Sequence, residues 1–77
     1  MNISTVANNL RNTIAGKEDY AQELAVYARV AEFPEDRAYD GMVMMLAVNI
    51  AELKRILQDV EQCIEKETVW QHNITTN

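Results

Sequence analysis

An unbroken apolar repeat in the second half limits most strongly what this chain can fold into. Tyr39, Val43, Leu46, Ile50, Leu53, Leu57, Val60 and Ile64 alternate spacings of four and three without a miss. That alternation keeps one face of an α-helix apolar over several turns, whereas a strand needs a period of two. It predicts one long helix from Pro34 to about residue 70, roughly 50 Å at 1.5 Å per residue. The segment "EFPED" sets its start. The residue before a proline avoids helical geometry, and proline is favoured at the first helical position. Glu35 and Asp36 then bring negative charge to the positive end of the new helix.

The first arm carries the same helical spacing over a shorter run, with a glycine inside it. Ile3, Val6, Ala7, Leu10 and Ile14 recur at helical spacing, with Asn2 or Ser4 placed to cap the start. Gly16 stands where helices commonly stop. Asp19 with Gln22 three residues on resembles a capping box that opens another helix. That helix would carry Tyr20, Leu24, Tyr27 and Ala31 on one side, and Val26, Val30 and Phe33 roughly opposite. Two short helices are the favoured expectation. The alternative is one kinked helix, because Ile3, Ala7, Leu10, Ile14, Ala21, Leu24, Ala28 and Ala31 keep a single phase across Gly16, with only Lys17 intervening. Either way the fold class is all-α: a helical hairpin of two short helices or one kinked helix, then one long helix after Pro34, dimerising into a bundle. Residues 1–70 make the single domain, and 71–77, "QHNITTN", lack any period and are expected to be a disordered tail.

The long helix has a second apolar face. From Met42 to Ala51 only Asn49 is not apolar. With Leu46 at zero and about 100° per residue, Met44 and Val48 fall near 160° and 200°, directly behind the seam. Met45, Ile56 and Cys63 line a flank near 270°, beside Asn49. Beyond residue 52 the back turns polar through Arg55, Gln58, Asp59 and Gln62. A hairpin covers one face only, so Met44 and Val48 call for other cover. A separate first helix would supply it in a three-helix monomer, and a second chain would supply it in a dimer. Seventy-seven residues are near the lower limit for a self-sufficient core, which favours the dimer. Its expected interface is Met44, Met45, Val48, Asn49 and Ala51. Asn49 is either a register device that seeks its counterpart, or an amide bonded to backbone or water. Clustered methionines also make adaptable docking surfaces for foreign partners.

The formal charge is −5, unevenly spread. Residues 1–17 hold Arg11 and Lys17 and no acid; the remainder holds all twelve acids against five bases, a net of −7. That balance is wrong for phosphate binding and for a major-groove reader, so nucleic-acid binding is disfavoured. No apolar run reaches the roughly 18 residues of a membrane span, and the start lacks a signal peptide's pattern. One cysteine, Cys63, leaves no intramolecular disulfide and fits a reducing, cytoplasmic setting.

Catalytic chemistry finds no support. His72 is the only histidine and lies in the expected tail. Cys63 sits on an apolar flank with only Lys66 nearby, and there is no Glu-x-x-His, phosphate loop or serine elbow. An enzyme, a cofactor and a metal are therefore not expected. Glu32, Glu35, Asp36 and Asp40 crowd the interhelical turn without the glycine and alternating oxygens of an EF-hand. They are instead a candidate surface for a basic partner. Tyr20, Tyr27 and Arg29 are the candidate ligand residues, with packing as the plainer role for both rings.

The expected function is a small acidic helical module for protein–protein interaction, a homodimer that inhibits or adapts a larger host complex. In size, acidity and lack of catalytic motif it resembles accessory proteins of phages and other mobile elements, including anti-defence proteins, although no motif ties it to a family. The rivals are an oligomer that sequesters a small ligand such as a nucleotide, and a structural or chaperone-like helical subunit.

Overall fold

The computed structural model describes the backbone of residues 2–75 and the side chains of residues 2–66. Two helices in antiparallel contact make up the fold: α1, Ile3–Val30, and α2, Glu35–Thr75. α2 continues through residues 71–75, where the lack of period led to the expectation of a tail; residues 76 and 77 lie outside the described residues, as does the side chain of His72. No helix among the described residues is long and apolar enough to cross a membrane.

The N-terminus of α1 is closed by Asn2. Its side-chain oxygen accepts the Thr5 backbone N–H at 2.8 Å and the Thr5 hydroxyl at 3.0 Å, satisfying a donor that the first turn leaves open. At the other end the Ala31 N–H donates to the Tyr27 carbonyl at 2.9 Å. The chain turns over residues 31–34, with a cis Phe33–Pro34 bond, and the Glu32 carbonyl accepts the N–H groups of Glu35 and Asp36 at 2.9 and 3.3 Å. Glu35 and Asp36 occupy the first turn of α2 as expected.

The break expected at Gly16 is absent. α1 runs through Gly16 as one helix, and Asp19 and Gln22 are exposed positions on it, not a capping box. The reason is the common phase of the apolar residues on either side. Breaking the helix would take Ile3 to Ile14 and Ala21 to Ala31 out of one line, whereas an internal glycine costs only about 1 kcal/mol. Lys17, the polar interruption, is half-buried, a position its aliphatic stem can occupy while the ammonium stays in water.

Every member of the 4-3 repeat in α2 faces α1: Ile50 is buried and the other seven are half-buried. Opposite them α1 buries Ala7, Ile14 and Leu24. Two exposed ion pairs mark the register, Arg11 with Glu61 at 3.7 Å and Lys54 with Glu18 at 3.4 Å. Pairs this exposed each contribute less than about 1 kcal/mol. The result is a rod, 67 × 17 × 15 Å, with an accessible surface of 6083 Å². A compact monomer of this mass exposes about 4800 Å².

Candidate functional site: the outer face of the long helix

One continuous α1 along the seam leaves no separate helix to cover the back of α2. That removes the three-helix monomer. In the single chain Met44, Met45 and Val48 are 70%, 74% and 62% exposed, and Ala51 beside them is exposed too. An isolated exposed methionine is ordinary, but this is a contiguous apolar strip bounded by charge.

The strip has relief. Three shallow depressions follow one another along it, of about 430, 380 and 330 Å³. The first is lined by Tyr20 from α1 and by Met42, Met45, Leu46 and Asn49 from α2. The second shares Met45 and Asn49 and adds Met44, Val48 and Glu52. The third continues through Val48, Ala51 and Glu52 to Arg55. The five residues expected at an interface, Met44, Met45, Val48, Asn49 and Ala51, therefore share one surface. Met42 and Tyr20 extend it. Met42 is hard to find from spacing alone, because it lies at the edge of the seam, about 40° from Leu46.

Asn49 is half-buried in the first two depressions, with no hydrogen-bond partner among the described residues. Its amide is free to meet a polar group brought by whatever lies against the strip.

The three candidate ligand residues are not gathered at one point. Tyr20 joins the Met42–Met45 depression. Tyr27 is engaged elsewhere: its ring lies 5.8 Å from that of Tyr39, and its hydroxyl donates to Glu23 Oε1 at 3.3 Å. Arg29, two residues beyond Tyr27, points about 200° away around the helix.

The acidic turn is an exposed ridge in which only Asp36 is half-buried. The Asp36 carboxylate accepts the Arg37 N–H at 2.9 Å, and the Arg37 guanidinium stands 5.3 Å from the centre of the Phe33 ring. Phe33 follows Val26 and Val30 in a smaller exposed apolar patch. Among the described residues, no three His, Cys, Asp or Glu side chains converge on a point that could hold a cation. Cys63 is exposed and free.

No family model, no characterised protein and no solved structure matches this chain.

Proposed function

We propose that the protein is a non-catalytic acidic interaction module that works as a homodimer, occupying a surface of a larger host complex to inhibit or adapt it. The carrying observation is the uncovered apolar strip of Met44, Met45, Val48 and Ala51 on a helix whose opposite face already has its partner. Self-association through that strip leaves the acidic turn of Glu32, Glu35, Asp36 and Asp40 at the surface. A cluster of like charge there steers association with a basic target more than it adds affinity. An anti-defence role of the kind mobile elements carry suits such a module.

The test is affinity capture from a host lysate. The reading expects one dominant target whose capture falls with salt. It also expects reversal of Glu32, Glu35 and Asp36 to Lys to slow association, in a variant that circular dichroism shows to be folded. Cys63→Ser and His72→Ala should leave capture unchanged. A folded triple variant that captures normally at low and high salt would reduce the acidic turn to a solvated face.

A second reading rests on the depression under Tyr20. Its volume, about 430 Å³, lies within the range of small-ligand sites, and it combines apolar walls with a phenol and an amide. A ligand-sequestering protein would gain several degrees of thermal stability with a matching nucleotide or metabolite at saturation. The interaction module would gain none.

A further inference from the structure

We propose that the two copies pair antiparallel, α2 against α2, about a two-fold axis beside Val48. This deepens the self-association in the proposed function and rests on it. The outer face of α2 is complementary to itself in one direction only.

Arg37, Gly41, Met44, Val48, Arg55 and Asp59 fall within about 30° of one line along the back of the helix. All are exposed. Arg37, Arg55, Asp59 and the neighbouring Asp40 have no ion-pair partner among the described residues, unlike Arg11 and Lys54 on the other side of the molecule. An axis at Val48 sets residues an equal number of positions before and after it against each other. Arg37 is eleven before and Asp59 eleven after, so each guanidinium meets a carboxylate of the other copy. Asp40 falls one step from the position opposite Arg55. At the centre Val48 meets its counterpart and Met45 lies opposite Ala51, while Met44 lies opposite Glu52 at the edge of the strip, against that side chain's aliphatic stem. Gly41 lies opposite Arg55, leaving room for its aliphatic stem.

The parallel arrangement in register fails on the same residues. It lays Arg37 on Arg37, Arg55 on Arg55 and Asp59 on Asp59, placing like charges together at each end of the apolar centre. Phe33 does not prevent the antiparallel contact, because a ring against the guanidinium face leaves its N–H edges free for a carboxylate.

The native cysteine tests the geometry. Cys63 is exposed and lies fifteen residues beyond the axis, so spin labels on the two copies should be separated by about 45 Å along the helices. Parallel pairing in register would bring them within about 20 Å, and that result would overturn the proposal. Charge reversal supplies the second arm. Arg37→Asp or Asp59→Arg alone should each weaken the dimer several-fold, and the two together should restore most of the loss. Failure of that rescue would overturn the register. A labelled chain that stays monomeric to millimolar concentration overturns the pairing, while capture of a target by that monomer would leave the interaction role standing. A dimer with the expected separation that captures nothing would do the reverse.

Discussion

The two halves of the back of α2 share one helix and one seam, yet they differ in kind. From Met42 to Ala51 the back is apolar; from Glu52 to Gln62 it is mainly charged or amide, with Arg55, Gln58, Asp59 and Gln62 behind the seam. The second half shows what a hairpin of this length needs on its outside, which is nothing apolar at all. The methionines of the first half are therefore surplus to the hairpin. The proposed self-association gives them a role that the hairpin does not.

The seam tolerates charge least. Ile50 is the most buried of the described residues of α2, and Ile50→Asp would place an unpaired charge against α1. Such changes cost about 3–5 kcal/mol, enough to unfold a small domain with a thin core. Loss of the helical circular dichroism signal is the expected outcome. A variant that remains folded would mean that the seam is not the core.

Val48→Glu changes the same helix half a turn from Ile50, on the outside. The side chain is 62% exposed in the single chain, so a carboxylate there meets water and the hairpin should keep its helix content. Assembly should fail instead. Light scattering of the native chain should give twice its 8.8 kDa mass at micromolar concentration, and the variant should give the single mass. Gln58→Glu, at a polar position of the second half, should leave the mass unaltered. Equal loss of helix in Val48→Glu and Ile50→Asp would erase the distinction between seam and back.

Some of this molecule was legible in the sequence and some was not, for physical reasons. The seam was readable because a 4-3 repeat leaves one geometry for eight residues, and all eight are turned to α1. The turn was readable because Pro34 constrains two residues at once. Gly16 misled because its local preference and the phase of the whole arm pointed in opposite directions, and packing summed over many residues outweighs one glycine. The apolar back was visible from composition, but its partner was not, since periodicity says which face is apolar and not what covers it. Tyr20 was visible as an aromatic residue, while its place beside Met42 and Met45 depended on the register between helices. That register lies in long-range pairs such as Arg11 with Glu61, which sequence spacing does not reveal.

A subtler difference separates two glycines that the single chain treats alike. Gly16 and Gly41 are both helical and exposed, neither has a positive φ, and an added Cβ meets nothing within 4 Å at either site. Replacing a helical glycine by alanine where the conformation is compatible stabilises by about 0.5–1 kcal/mol. Gly16→Ala should therefore raise the melting temperature by a few degrees, by the same amount at every chain concentration. Gly41 differs only if its face meets another copy, where a new methyl group stands against the stem of Arg55. Gly41→Ala should then change the dimer as well as the helix, and its shift in melting temperature should vary from micromolar to near-millimolar chain, as mass action requires of any substitution at an interface. Two concentration-independent gains of equal size would place Gly41 outside any interface and move the axis away from Val48.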